Sequence, residues 1–72
     1  MRIPRLHLDD ALTPGQEIEL PRDRAHYLLH VLRLSQGARL ILFDGRQPLD
    51  FHAELIGTGK RAARVRIHSV ED

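Results

Sequence analysis

On either side of a turn between residues 51 and 68, apolar and polar residues alternate, and this alternation constrains the fold more than any other feature. Phe51, Ala53 and Leu55 alternate with His52 and Glu54, and after the turn Gly57-Thr58-Gly59-Lys60 the apolar Ala63, Val65 and Ile67 alternate with Arg64, Arg66 and His68. Successive strand residues point to opposite faces of a sheet, so this pattern predicts a hairpin with one face in a core and one in water. Shorter runs extend the same reading. Arg2 to Leu8 carries Ile3, Leu6 and Leu8, broken by Pro4, and suits an edge strand or a strand start. Gln16 to Leu20 places Ile18 and Leu20 opposite Glu17 and Glu19, after the turn signal Thr13-Pro14-Gly15. Arg39 to Asp44 holds the continuous run Leu40-Ile41-Leu42-Phe43, which predicts a buried strand with both phenylalanines, Phe43 and Phe51, in the core. Asp44-Gly45 and Pro48 mark the turn that follows.

One segment has a different period. Pro21 suits a first helical position, and Ala25, Leu28, Leu29 and Leu32 then fall on one helical face. Gly37 is the expected end of this helix. About five short strands and one inserted helix predict a mainly β domain, a small OB-like β-barrel, open or closed. With 72 residues there is one domain, too small for both a core and an elaborate catalytic cleft.

The net charge of +1 conceals a segregated distribution. Arg2 and Arg5 open the chain; Lys60, Arg61, Arg64 and Arg66 follow one another with no acid between them; and Arg22, His26, His30 and Arg33 are spaced by four, four and three residues, so that each is a surface neighbour of the next on a helix. Basic side chains clustered this way neutralise phosphates, so the candidate contacts are Arg2, Arg5, Arg22, His26, His30, Arg33, Lys60, Arg61, Arg64 and Arg66. With Tyr27, Phe43 and Phe51 as the only aromatics besides histidine, the expected mode is recognition of backbone and shape rather than a stacking platform. The remaining alternatives are another RNA-binding barrel or a protein-interaction barrel, for which Val31 and Leu34, off the main apolar stripe, are the candidate contacts.

Catalytic and metal chemistry find little support. His26 and His30 have helical metal-ligand spacing, but Tyr27 stands where a zinc protease carries its glutamate, and no third ligand accompanies them. A phosphate loop needs glycine where Glu54 stands and Ser or Thr where Arg61 stands. Ser35 and Ser69 lack a recognisable His and acid arrangement. No catalytic residue, metal or cofactor is therefore expected in this chain. Cysteine is absent, which excludes disulfides and thiolate metal sites. No apolar run is long enough for a signal peptide or membrane span, so a cytoplasmic protein without membrane contact is the expectation.

Specific strings point further. Met-Arg-Ile-Pro-Arg at residues 1–5, the helix segment Ala25-His26-Tyr27-Leu28-Leu29-His30-Val31-Leu32-Arg33-Leu34, the following Gly37, and Leu42-Phe43-Asp44-Gly45 together resemble bacterial 16S ribosomal RNA uridine-N3 methyltransferases, the RsmE family. The resemblance spans essentially the whole chain, in order and spacing. It implies that residues 1–72 are an N-terminal PUA-like RNA-binding barrel that grips the 16S rRNA of the small ribosomal subunit. It further implies a following SPOUT domain, absent from this chain, that binds S-adenosylmethionine, transfers the methyl group and forms a homodimer. By position it singles out Arg2, Arg5, Arg33 and the pair Lys60-Arg61. The turn Arg46-Gln47-Pro48-Leu49 departs from the family, where many relatives carry a further glycine and a polar residue.

Overall fold

Each alternating segment becomes a strand, and all five join one sheet. A computed structural model describes residues 3–59 and 62–72; the expected contacts Arg2, Lys60 and Arg61 lie outside the described residues. The strands are β1 (Arg5–His7), β2 (Glu17–Glu19), β3 (Arg39–Phe43), β4 (Asp50–Thr58) and β5 (Ala63–Glu71), in the spatial order β1-β3-β4-β5-β2. The expected hairpin is the antiparallel pair β4–β5, which is flanked by β3 antiparallel to β4 and β2 antiparallel to β5. β1 runs parallel to β3, with Leu6 opposite Leu42. Leu8 N–H donates to Phe43 O at 3.0 Å and Ile41 N–H to Pro4 O at 2.8 Å, which prolongs the pairing at both ends.

The sheet does not close into a barrel. β1 and β2 are its two edges, and each has only three residues, too short a ladder to bend round and meet the other. The expectation of a mainly β domain with one inserted helix holds, and the sheet is open. β4 and β5 run longer than their alternation because two irregularities absorb the breaks in pattern. Ile56 is the extra residue on β4 between Leu55 and Gly57, and His68 is the extra residue on β5 opposite the His52/Ala53 step. A bulge leaves one residue unpaired and re-aims its neighbours.

One face of the sheet carries the core: Leu6, Leu40, Leu42, Phe51, Ala53, Leu55, Ala63, Val65 and Ile67 are buried there, with Leu8 and Leu20 from the adjoining loops. The helical segment contributes Ala25 and Leu28, and Leu29, Leu32 and Leu34 pack against the cluster. Leu34 therefore belongs to the domain's own packing, while Val31 is 59% exposed. Phe43 is also a correction: it is only partly buried, on the opposite face. Only one face of β3 meets the core, so alternate members of its apolar run, Ile41 and Phe43, are left on the other side.

The helix differs from its simple periodic reading. Residues Arg22–His26 form α1, and Tyr27–Val31 continue as a π-helical segment. Leu32 N–H donates to Tyr27 O at 2.9 Å, five residues back. Arg33 then takes φ +56°, and Leu34 N–H reaches Leu28 O at 2.9 Å. A left-handed residue followed by a long backward bond is how helices commonly stop, usually with glycine at that position. The helix thus ends at Arg33 rather than at Gly37, whose N–H instead donates to Leu55 O at 2.7 Å and ties the approach to β3 onto β4. Among the described residues no helix is long and apolar enough to cross a membrane.

Candidate nucleic-acid interface

The sequence predicts three basic clusters, and the fold treats them differently. On the outer face of the sheet Arg64 and Arg66 already have a carboxylate partner. Arg66 donates from Nε and Nη2 to Glu17 Oε2 at 3.1 and 2.6 Å, and Arg64 Nη1 lies 4.0 Å from Glu17 Oε1. The pairing follows from register, since Glu17 sits opposite Arg66 and Glu19 opposite Arg64 across β2 and β5. The Arg66 guanidinium holds the Glu17 carboxyl below the usual carboxylate range, by hydrogen bonding first and by charge second.

Arg5 is held as firmly. Its Nη1 and Nη2 each donate to Asp50 at 2.9 Å in a two-pronged pair. The hydrogen bonds and the charge raise Arg5 further above its ordinary value, and hydrogen bonding to Arg5 is the main cause that lowers Asp50. The same guanidinium lies 5.2 Å from the centroid of the Phe43 ring, and the His7 ring is 5.4 Å from it on a tilted approach. Pairing takes nothing from the apolar stem of an arginine, but it uses up part of the charge a phosphate would otherwise meet.

The helical cluster is different. Arg22, His26, His30 and Arg33 are all exposed, and among the described residues none of them has a carboxylate partner. The His26 and His30 rings lie 4.9 Å apart with 30° between their planes, so these two are surface neighbours. Arg22 sits at the start of α1 and Arg33 at the left-handed exit from the π-helical segment.

Several groups that the periodicity did not single out shape the neighbourhood. Arg24 reaches from α1 to β1, donating Nε–H to His7 O at 2.9 Å and Nη1 to Asp23 at 3.0 Å. This clip positions the helix against the sheet edge. The only hint in sequence was a fifth basic residue between Arg22 and His26. Across the edge, Asp44 Oδ1 accepts from Arg46 N–H at 2.9 Å and Gln47 N–H at 3.1 Å, and these backbone donors lower its carboxyl. The Arg46 side chain lies 2.6 Å from Asp9. Gly45 is at φ +78°, and a Cβ there would stand 3.1 Å from His7 Nε2. The turn that departs from the family pattern is therefore ordered by the Asp44 carboxylate and by Arg46, without a further glycine.

Between α1 and the β1/β3 edge lies an open groove of about 520 Å³, whose walls include His7 and Phe43 from the sheet and His26, Tyr27 and Val31 from the helix. Tyr27 is 42% exposed there. The opposite sheet end carries a second hollow lined by Ile3, Arg39, His52, His68 and Val70. Its histidines are engaged, His52 with Glu71 at 3.0 Å and His68 with Glu54 at 2.9 Å.

Residues 20–67 match the family described as RNA methyltransferase PUA domain. The chain belongs to this family. Its fold superposes on a Legionella pneumophila protein described as a methyltransferase in complex with the bound cofactor SAM, with TM-score 0.92 and 34% identity over 99% of this chain and 29% of that one. Ribosomal RNA small subunit methyltransferase E from Neisseria gonorrhoeae, bound to S-adenosyl methionine, matches with TM-score 0.88 and 30% identity over 97% of this PUA domain and 29% of its own chain. A Porphyromonas gingivalis protein described as a probable rRNA-methyltransferase gives 0.79 and 30%, over 97% and 28%. The PUA domain thus spans under a third of the length of the structures it matches.

Proposed function

We propose that this PUA domain is the RNA-gripping part of an S-adenosylmethionine-dependent methyltransferase that acts on N3 of a uridine in 16S rRNA. In this reading the domain holds the small-subunit rRNA and takes no part in the chemistry. A separate SPOUT domain binds the cofactor, transfers the methyl group and forms the homodimer, in the cytoplasm. The observation that carries the RNA-binding role is the set Arg22, His26, His30 and Arg33 on one helical segment and its exit, exposed and without carboxylate partners among the described residues, on a domain of the RNA methyltransferase PUA family. Unpaired cations are the ones that release counterions from a phosphate backbone, whereas Arg66 and Arg64 must first give up Glu17. The expected contacts Arg5, Arg64 and Arg66 are accordingly secondary.

The test is titration with a small-subunit rRNA fragment at several salt concentrations. Arg22→Ala combined with Arg33→Ala is expected to weaken binding at least ten-fold and to reduce the salt slope by roughly 1 to 2. Arg64→Ala with Arg66→Ala should have a clearly smaller effect. Affinity that ignores salt, or a sheet-face pair that matters more than the helical pair, would overturn the assignment.

A further inference from the structure

We propose that the groove between α1 and the β1/β3 edge is a nucleobase pocket, which takes one unstacked RNA nucleotide whose phosphate lies on the helical line. The inference rests on the RNA-binding reading above and adds where, and in what state, a base is held.

Three observations converge on it. The first is continuity: His26 belongs to both features, standing 4.9 Å from His30 on the exposed line and lining the groove on its other side. A strand whose phosphates follow the helix has its sugars and bases within reach of the groove at that point. The second is charge. Both arginines of the groove are already neutralised, Arg5 by Asp50 and Arg24 by Asp23. Arg24 also donates to the His7 carbonyl. Little positive charge is left over for a phosphate inside. What the groove offers instead is ring and aliphatic surface from Tyr27, Val31 and Phe43.

The third is the unusual placement of those groups. Phe43 is an apolar residue on the uncovered face of the sheet, fixed beside the Arg5 guanidinium and the His7 ring. Tyr27 and Val31 are two of the large apolar side chains that remain exposed. Exposed aromatic surface next to free cations is the composition of single-stranded nucleic-acid sites, where bases stack on rings while the backbone meets positive charge. A volume of about 520 Å³ lies in the range of small-ligand sites and is ample for one base. A base in a duplex cannot enter, because its faces are occupied by its neighbours, so the pocket selects loops, bulges and ends.

Tyr27 is the only tyrosine and the chain has no tryptophan, so its emission reports on the groove alone. The experiment compares a hairpin RNA with an unpaired loop, a fully paired duplex of equal length, and free uridine monophosphate. We expect the hairpin to quench Tyr27 emission and to bind roughly ten-fold more tightly than the duplex. Tyr27→Leu and Phe43→Leu, read by electrophoretic shift, should each erase most of that preference while leaving duplex affinity unchanged. Since Tyr27 is exposed, its variant tests the groove without touching the core. Equal binding of hairpin and duplex with unchanged emission would overturn the pocket and leave the helical line intact. Absence of binding to either RNA would overturn the RNA-binding reading and the pocket with it. Quenching by uridine monophosphate at concentrations below those needed for the hairpin would assign the pocket to a free nucleotide and overturn RNA as its source.

Discussion

Arg33 holds a conformation that costs stability, and glycine at that position separates the backbone from the charge. A non-glycine residue in the left-handed region loses roughly 1–2 kcal/mol to the contact between Cβ and the following carbonyl, and φ +56° puts Arg33 there. Arg33→Gly relieves that contact. It also gives the unfolded chain more freedom, which costs about 0.4–1 kcal/mol. The Leu34 N–H to Leu28 O bond at 2.9 Å is retained, because it involves neither side chain. The net expectation is a gain of about 1 kcal/mol, and for a domain of this size that raises the melting temperature by roughly 4–8 °C. Differential scanning calorimetry measures it directly, with Arg33→Ala as the control that keeps the strain and removes only the guanidinium. Arg33→Gly and Arg33→Ala should weaken RNA binding alike while only the first raises Tm. A glycine variant that melts below the parent would refute the account of how this helix ends. A glycine variant that binds RNA as well as the parent would remove Arg33 from the RNA contacts.

Two further outcomes test the packing and the ion pairs. Leu28→Ala removes a side chain with no exposed surface at the junction of helix and sheet; it should cost about 2–5 kcal/mol in a urea titration, a large part of the roughly 4–11 kcal/mol a domain of this length possesses. For pH the sign follows from lowered carboxylates: Glu17, Asp44 and Asp50 all titrate below their ordinary values in the folded chain, so their contribution is fully present above the usual carboxylate range and is lost as pH falls through the lowered native values, below about pH 4. Glu17→Gln combined with Asp50→Asn should flatten the acid side of the stability profile measured by circular dichroism, and an unchanged profile would show that these pairs do not contribute.

Much of this architecture was legible because each strand declares its buried face. Phe51, Ala53 and Leu55 on one strand and Ala63, Val65 and Ile67 on the other are buried as their alternation requires, and Ala25 and Leu28 are buried as a helical period requires. Alternation, however, says which side of a strand is apolar and not which strand lies next to it. The parallel pairing of β1 with β3 joins segments more than thirty residues apart, and nothing local to Arg5–His7 encodes it. The same blindness affected the charges. A run of bases without an intervening acid between Lys60 and His68 suggests an uncompensated surface, but Glu17 approaches Arg66 from 49 residues away in sequence. The run of four apolar residues in β3 concealed a two-sided strand, because run length does not say how many faces are covered. The π-helical segment was invisible for another reason: Leu28, Leu29 and Leu32 satisfy the apolar stripe in either kind of turn.

The two unpaired margins of the open sheet also bear on what another chain could pair with. A free strand margin is a template for another copy of the same chain, and here each margin offers only three residues, one preceded by Pro4 and the other carrying Glu17 and Glu19. Next to them lie far longer templates, the five residues of β3 and the nine of β5. A cut or substitution that releases β2 would free the Arg64–Arg66 stretch of β5 that it pairs. The short, charged outer strands thus offer another chain little ladder to extend.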